Sequence, residues 1–369
     1  MDAKWLEQVK AKLEAKMAYG RDQAKGLEFI PYTVRDGKWA EGPGGLDWWT
    51  NGFWGASMWQ MYLMTKDEEY KKAAEKCEEM LDPVLVDFEK LHHDVGFMWN
   101  LTAGVNYRLT GNADSRRRWL TAASTLAGRY NPNGFIRAWN GDRTGWGIID
   151  CMMNIPLLYR ASALIDDPRF KLIGMEHADT SMECFVRPDG SSNHIVIFDP
   201  QTGEMLDNPG GQGFASGSSW SRGQAWALYG FMLSYIHTGE ARYLDTAKRV
   251  AHYFIANVCD DWLPACDFRS PAEPVIKDDC AGAIAACGLL EIAKAVPEYE
   301  KKIYQTAAEK LLMAMEAEHA DWSEDIPAIF THCTGAYHDK THHVSMVYAD
   351  YFFIEAVNKL LDEKAMLFW

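Results

Sequence analysis

The chain has 369 residues, of which 48% are hydrophobic and 24% are charged. These proportions are typical of a globular protein and exclude disorder, collagen or a coiled coil for the chain as a whole. The formal net charge of −15 argues against a nucleic acid or a membrane as partner. No apolar run approaches the roughly 20 residues of a membrane span. The 15 tryptophans are unusual, because Leu, Ile and Val suffice for an ordinary core.

The N-terminal segment and the cysteines bear on the cellular compartment. Residues 1–17 are charged and helix-like and contain no apolar signal-peptide core, which predicts a cytoplasmic protein. A trimmed form of an exported protein is the alternative. The eight cysteines form no CxxC pair, so we interpret them as reduced, small apolar residues.

Six amphipathic helices, most of them preceded by a short polar turn, are predicted along the chain. Charged and apolar residues alternate in them at helical spacing, as on a helix with one exposed face. They cover residues near 4–19 and residues 65–81, 110–127, 165–185, 238–258 and 296–315.

A second set of helices alternates with the first. These segments are apolar nearly all round and rich in Gly, Ala and Met, which predicts burial on every side. They cover residues 52–64, 94–109, 147–165, 221–237, 279–296 and 345–361.

The alternation predicts six helical hairpins, each with a buried and a half-exposed helix. An open solenoid and a closed ring both fit this pattern, but solenoid repeats are nearly constant in length. The uneven spacing of the buried helices therefore favours the ring. We predict an all-α fold, an (α/α)6 barrel, with residues 1–369 as a single catalytic domain. Segments 194–200 and 328–343 are possible strands in loop excursions.

In such a ring all the inner helices run in the same direction, so the loops that lead into them share one rim. These loops are rich in aromatic residues, His, Arg and acids, which is what a concave binding site requires. They cover residues 44–54, 91–94, 135–150, 202–226 and 331–345.

Two acids on this rim are candidates for chemistry. Asp94 follows His92 and His93 and opens the second inner helix, and Asp150 is predicted about one turn inside the third. Helix N-capping is the alternative interpretation of both. Apolar surroundings would raise a carboxyl pKa and keep a proton available for general-acid work. Paired carboxylates are the usual means of cleaving sugar acetals.

Aromatic and cationic residues on the rim suit a sugar acid. We expect Trp49, Trp139, Trp220 and Trp226 to stack on sugar rings and most other tryptophans to pack in the core. Arg222 begins a buried helix, where a guanidinium needs an anionic partner. A ligand carboxylate and a surface salt bridge are the two alternatives.

No metal and no cofactor are predicted. Adjacent residues rarely ligate one ion together, so His92, His93 and Asp94 are not interpreted as a metal site, and the chain has no HExxH motif. The glycine-rich segment 202–226 lacks the GK[ST] of a phosphate-binding loop.

The chain resembles the unsaturated glucuronyl hydrolases, glycoside hydrolase family 88. The motifs that carry the resemblance lie in the family's order over nearly the whole chain. They are DWWTNGFW (47–54), HHDVGF (92–97), IIDCMMNIPLL (148–158), SSNHIVIFDP (191–200), SSWSRGQAWALYGF (218–231), CAGAIAACGLLEIA (280–293) and YADYFFIEA (348–356).

The resemblance implies an (α/α)6 barrel and a hydrolase that removes a terminal 4,5-unsaturated uronic acid from lyase-generated oligosaccharides. Glycosaminoglycan disaccharides are the expected substrates. The resemblance makes Asp150 the general acid that protonates C4 and is thought to activate the water that adds at C5. It makes Asp94 the second essential acid, which helps to hold the unsaturated sugar.

The resemblance also implies a set of substrate contacts, and we expect Arg222 near the uronate carboxylate. Gly211 stands where some relatives have His, which weakens the transfer of contacts in that loop. Lys340 is a candidate for binding a sulfate or carboxylate, although the serines of sulfate-accepting relatives are missing from its loop. The implied contacts are Trp49, Asn51, His93, Trp139, His194, Gln212, Arg222 and Trp226.

Three other functions remain as alternatives. An unsaturated rhamnogalacturonyl hydrolase would use the same fold. A sugar 2-epimerase would use paired His bases, which the Asp94/Asp150 pair disfavours. A non-catalytic helical scaffold would need an open groove. The expected partner is a small unsaturated uronate oligosaccharide, and the expected state is a monomer or a weak homo-oligomer.

Overall fold

The computed structural model describes residues 3–369. The helices are α1 (Ala3–Gln23), α2 (Asn51–Thr65), α3 (Glu68–Met80), α4 (Asp82–Val86), α5 (Ala103–Thr110), α6 (Ala113–Ala127), α7 (Pro156–Ile165), α8 (Arg169–Cys184), α9 (Ser221–Thr238), α10 (Ala241–Asn257), α11 (Asp279–Ala295), α12 (Glu298–Glu318) and α13 (Val347–Leu361). Short 3₁₀ turns lie at Gly45–Asp47, Phe88–Lys90 and Ile149–Met153, and a π-helical turn lies at Gly96–Asn100.

Six helical segments close a ring, as predicted. Along the ring, α2 is followed by the π-turn with α5, then α7, α9, α11 and α13, and α13 packs against α2. An outer helix covers each inner one: α3, α6, α8, α10 and α12 pack on the helix that precedes them, and α1 packs on α13. The fold is the (α/α)6 barrel, and residues at both ends of the described chain take part in it.

The inner helices are buried because their sequences offer no polar face. Fourteen of the 18 residues of α9 are buried, and 15 of the 17 residues of α11. The outer helices bury one stripe each, as α10 shows with Tyr243, Ala247, Val250 and Phe254. The apolar pattern therefore predicted the two layers correctly.

The third inner helix differs from the prediction. A helix was expected over 147–165, but α7 begins only at Pro156, a residue that favours the first helical turn because it has no N–H to leave unpaired. Residues 146–148 form a strand instead. Gly145 makes this possible, since a Cβ there would lie 1.9 Å from the carbonyl oxygen of Phe198. The prediction of Asp150 inside an α-helix is therefore wrong.

The second inner helix is also interrupted. The predicted span 94–109 is a π-helical turn at Gly96–Asn100, a break at residues 101–102 and then α5. The reason is close packing at Gly96, where a Cβ would lie 2.6 Å from Cα of Asn154. Here two inner segments approach backbone to backbone.

The strands are short and belong to the loops. β1 (Thr33–Arg35) pairs with β2 (Lys38–Ala40), and β3 (Tyr130–Asn131) pairs with β4 (Phe135–Ile136), both antiparallel. The third sheet has the order β5-β6-β7, from Trp146–Ile148, Ile195–Phe198 and Met205–Asp207. β6 confirms the strand considered for 194–200, whereas segment 328–343 contributes only to isolated bridges, such as Cys333 with Val344.

A buried ion network lies near the C-terminal ends of α11 and α13. Lys359 Nζ is 2.8 Å from carboxylate oxygens of both Glu291 and Glu355. The Glu355 carboxylate also accepts a hydrogen bond from Trp369 Nε1 at 2.9 Å. Trp369 stacks on Phe352 with ring centroids 5.7 Å apart. These contacts fill the end of the barrel opposite the inner-helix N-termini. No helix described in residues 3–369 is long and apolar enough to cross a membrane.

Candidate active site

The N-terminal ends of the inner segments meet at one mouth, as the topology predicted. Contacts connect them in a closed series that we call the mouth ring. The ring begins with Trp49, whose indole lies 5.5 Å from the Phe97 ring, and returns to it through Tyr348 at 5.2 Å. Its members, in order, are Trp49, Phe97, Asn154, Asp150, His194, Trp220, Arg222 and Tyr348, and Asp94 joins the ring through Asn154.

Asp94 lies just before the π-turn and is held as an anion. Its Oδ1 is 3.1 Å from His93 Nε2 and accepts a hydrogen bond of 3.1 Å from Asn154 Nδ2. His92 Nδ1 lies 3.2 Å from Oδ2. Burial opposes ionisation of Asp94, but the adjacent His93 outweighs it, so the pKa of Asp94 is lowered. Asp94 is the ionised partner at neutral pH.

His93 is held by its other ring nitrogen. Nδ1 lies 2.9 Å from the carbonyl oxygen of Ala138 and donates to it, which directs Nε2 to Asp94. Burial lowers the pKa of His93, but the Asp94 carboxylate outweighs that effect and the pKa is raised. The pair therefore forms a local dipole next to the second acid.

Asp150, unlike Asp94, favours its protonated form. It lies in the 3₁₀ turn that follows β5, and burial, reinforced by the negative charge of Asp94, raises its pKa to about 7. Its Oδ1 has no hydrogen-bond partner within residues 3–369. The Asp150 side chain keeps 10% of its surface exposed, so a ligand can reach a carboxyl group that holds a proton near neutral pH. The N-capping alternative does not apply, because no side-chain cap is formed at this turn.

His194 faces Asp150 as a neutral imidazole. Its Nδ1 accepts a hydrogen bond of 3.0 Å from the backbone N–H of Gln212, which leaves the proton on Nε2, 3.7 Å from Asp150 Oδ1. Burial lowers the pKa of His194 to about 3. Gly211 allows this approach, since it has φ +59° and a Cβ there would lie 2.2 Å from His194 Nδ1. A bulkier residue at 211 would displace this contact.

Arg222 has its anionic partner within the protein. Nη1 lies 3.1 Å from Asp278 Oδ2 and donates to the carbonyl oxygen of Thr334, and Nη2 donates to that of Gly335. The guanidinium stacks on Trp220 at 4.6 Å. The alternative of a surface salt bridge is therefore wrong, because the ion pair with Asp278 is buried, and a contact of Arg222 with a uronate stays a prediction.

The four rim tryptophans do not share one environment. Trp49 and Trp139 are half-buried, and Trp139 lies 6.0 Å edge-on from His93. Trp220 is nearly buried between His194 and Arg222. Trp226 is 0% exposed and packs on Phe97 and Phe352. Trp49 and Trp139 therefore keep part of their surface exposed, whereas Trp226 lies in the core.

The remaining predicted contacts lie on the loops around the mouth. Asn51 begins α2, donates from Nδ2 to the carbonyl oxygen of Gly45, and leaves its buried Oδ1 without a partner among residues 3–369. Gln212 donates from Nε2 to the carbonyl oxygen of Gly335 at 2.7 Å, which joins the glycine-rich loop to the last long loop. Lys340 is exposed on that last loop.

Among residues 3–369, three groups bring potential metal-ligand atoms within 4.8 Å of one another. In the first, His92, His93 and Asp94 already pair with one another. In the second, Asp278 with Cys280 and Cys333, the carboxylate is the partner of Arg222. In the third, Asp279 with His319 and His332, the two imidazoles stack in parallel at 3.9 Å. Parallel stacked rings cannot aim their in-plane lone pairs at one ion.

Sequence reasoning missed Asn154, Asp278 and Tyr348. Asn154 is a polar residue at the end of an apolar run, four positions after Asp150, and it joins the two acidic segments. Asp278 occupies the N-cap position of α11, so its position in the sequence did not distinguish it from an ordinary helix cap. Tyr348 closes the mouth ring but sits in a continuous aromatic stretch of the sequence.

Comparisons with known proteins identify the family. The model of Glycosyl Hydrolase Family 88 matches residues 31–325. An unsaturated glucuronyl hydrolase from Bacillus sp. strain GL1 is 36% identical over 85% of this chain and 86% of its own. An unsaturated chondroitin disaccharide hydrolase from Streptococcus pyogenes serotype M1 is 32% identical over 84% of this chain and 80% of its own.

Solved structures agree with this family and show the same fold. The crystal structure of the Bacillus sp. GL1 unsaturated glucuronyl hydrolase, described as responsible for the degradation of glycosaminoglycan, aligns with a TM-score of 0.89 and 32% identity. The alignment covers 95% of this chain and 96% of that one. The chain belongs to glycosyl hydrolase family 88 and is a glycoside hydrolase with the (α/α)6-barrel fold of that enzyme.

The Arg222–Asp278 pair makes a prediction about stability. Arg222→Met leaves a buried carboxylate without its counter-charge, which costs about 3–5 kcal/mol in the free energy of unfolding. Urea denaturation followed by far-UV circular dichroism measures this loss. The double variant Arg222→Met/Asp278→Asn removes the buried charge as well and is expected to recover more than half of it. Equal stability of the single and double variants would contradict the pairing.

Proposed function

We propose that this enzyme removes the non-reducing terminal 4,5-unsaturated uronic acid from lyase-generated oligosaccharides. The observation that carries the proposal is the division of roles between two buried acids. Asp150 holds a proton near neutral pH and has an unpartnered oxygen, whereas Asp94 is ionised. This pairing suits proton donation to a carbon–carbon double bond followed by addition of water.

In the proposed reaction Asp150 gives its proton to C4 of the unsaturated sugar. Positive charge develops at C5 and the ring oxygen, next to the Asp94 carboxylate, which stabilises it. The Asp150 carboxylate then takes a proton from the water that adds at C5 and is restored. The product is a hemiketal, which opens. The hemiacetal that this leaves at C1 releases the rest of the saccharide.

The substrate is acidic, although the chain carries a net charge of −15. Local cationic and donor groups at the mouth outweigh distant surface charge, because the Debye length at physiological salt is about 8 Å. Asn51 and Gln212 supply further donors and acceptors, and Trp49 and Trp139 supply stacking surfaces. For Arg222 we propose that the N–H groups not used by Asp278 and the loop carbonyls contact the uronate. The proposed charged or donor groups are His93, His194 and Arg222.

Trp226 has a supporting part in this proposal. Its indole packs beneath Phe97 in the mouth ring, so it supports the surface on which the sugar lies and need not touch the sugar itself. The whole of residues 1–369 acts as one catalytic domain in this proposal, since all six inner segments pack into the one barrel that carries the mouth ring.

The proposed substrates are glycosaminoglycan-type disaccharides, because the matched relatives are described as glucuronyl and chondroitin disaccharide hydrolases. The role is therefore in polysaccharide degradation. A cytoplasmic location is proposed, since all eight cysteines are free thiols. A monomer or weak homo-oligomer suffices for the reaction, because one chain supplies the complete mouth ring.

Lys340 gives the proposal a test of sulfate recognition. Unsaturated hyaluronan, chondroitin, heparin and gellan oligosaccharides, with and without sulfate where available, form the substrate panel. We expect Lys340→Ala to lower kcat/KM for sulfated disaccharides about tenfold, the value of one charge-assisted hydrogen bond. Unsulfated disaccharides serve as the control and should be unaffected. An equal loss on both would assign Lys340 no part in sulfate binding.

Replacing the general acid tests the chemistry itself. Asp150→Asn cannot donate the proton, so loss of the double-bond ultraviolet absorbance should slow by at least about 10³-fold. Asp350→Asn is the matched control, because Asp350 is also buried with a pKa raised to about 7 but binds the N–H groups of Ile329 and Phe330 away from the mouth. An epimerase would leave the absorbance unchanged in the wild type.

The pKa of Asp150 sets the pH dependence. The active form is protonated, so kcat/KM is expected to fall tenfold per pH unit above about pH 7. Asp94 has a lowered pKa, so the acidic limb should lie below pH 4. Initial rates between pH 4.5 and 9 on one disaccharide measure the profile. A plateau that extends to pH 9 would be incompatible with Asp150 as the proton donor.

A further inference from the structure

Asn154 lies at the centre of the contact between the two acidic segments. It is 0% exposed and follows the 3₁₀ turn that carries Asp150. Its Oδ1 accepts a hydrogen bond of 2.8 Å from the backbone N–H of Phe97. Its Nδ2 donates to Asp94 Oδ1 at 3.1 Å and to the carbonyl oxygen of Asp150 at 3.2 Å.

The orientation of this amide is determined by its partners. The Phe97 N–H is a donor, so the atom that faces it must be the amide oxygen. The nitrogen then faces a carboxylate and a carbonyl, both of which are acceptors. Only an amide of this length supplies an acceptor on one side and two donors on the other. Gly96 makes the approach possible, because a Cβ there would lie 2.6 Å from Asn154 Oδ1.

We propose that Asn154 is a positioning residue for the reaction, whose side-chain amide holds the carboxylate of Asp94 against the segment that carries Asp150. The proposal rests on the proposed function, since it assigns Asn154 to the same proton transfer. The amide donates to the ionised form of Asp94 and so favours it. That charge keeps the proton on Asp150. Asn154 therefore acts through both acids without touching the substrate.

Other charged or titratable groups also face the two carboxyls, and none of them is bonded to Asn154. A replacement of Asn154 thus leaves the hydrogen bonds of these groups in place, and Asp94 is the only one of the two carboxyl groups that loses a hydrogen bond to its side chain. These groups are His92, His93, Arg129, Cys151, His194 and Arg222.

The test compares pH profiles of kcat and KM for the wild type and two variants on one unsaturated disaccharide. Asn154→Ala releases Asp94, so the repulsion that keeps the proton on Asp150 weakens. Asn154→Asp keeps the acceptor for the Phe97 N–H, and so the fold, but replaces the donors with a carboxyl group. In both variants we expect kcat to fall about tenfold to a hundredfold and KM to stay within about threefold. The alkaline limb should shift to lower pH by at least about half a unit in Asn154→Ala. In Asn154→Asp it should shift to higher pH instead, because the added carboxyl group places further negative charge beside Asp150.

The control is Asn100→Ala, in the π-turn Gly96–Asn100 that also contains Phe97. Asn100 accepts a hydrogen bond of 3.0 Å from Trp119 Nε1 and does not touch either acid, so its loss should lower the melting temperature without moving the limb. If the Asn154 variants lose stability and rate but keep the alkaline limb of the wild-type pH profile, Asn154 is merely structural and the proposal is wrong. A wild type that leaves the double bond intact would instead refute the proposed function.

Discussion

Burial of two carboxyl groups side by side is the constraint on which this site depends. Burial disfavours the ionised form of each carboxyl group, and the charge of an ionised Asp94 further disfavours ionisation of Asp150, so one of the two holds a proton. The surroundings decide which. Asp94 has two imidazoles and an amide donor beside it, whereas Asp150 has an unpartnered oxygen and a neutral imidazole. The asymmetry of the partners produces an acid and an anion from identical side chains.

The barrel supplies this asymmetry by joining segments that are far apart in sequence. The residues that produce it come from three successive connections between hairpins, and side-chain contacts rather than one secondary-structure element bring them together. They are His93 and Asp94, then Asp150, and then His194. Irregular backbone occurs where the two inner segments that carry the acids approach each other closely. The π-turn at Gly96–Asn100 and the 3₁₀ turn at Ile149–Met153 both lie beside an acid, as expected where function outweighs regular helix geometry.

The two ends of the barrel use buried charge differently. Near the C-terminal ends of α11 and α13, Lys359 contacts two glutamates, and Lys294 also pairs with Glu291. At the mouth, Arg222 neutralises Asp278 and donates hydrogen bonds to carbonyl groups of the last loop. Asp150 Oδ1, in contrast, has no hydrogen-bond partner among residues 3–369. Gln212 links the glycine-rich loop to that same last loop and also fixes the His194 tautomer. The packing of these two loops and the position of the His194 proton therefore both depend on Gln212.

The sequence by itself determined the six hairpins, the two layers and the rim on which the acids lie, because apolar periodicity reports burial directly and parallel inner helices must share one end. Its motifs also identified the family. Only the tertiary structure decided the rest. Pro156 and Gly145 show in hindsight why Asp150 lies in a 3₁₀ turn, yet that turn depends on pairing with β6. The partner of Arg222, the burial of Trp226 and the role of Asn154 depend on contacts across more than 50 residues of chain. Local pattern carries no information about which distant group a polar side chain meets.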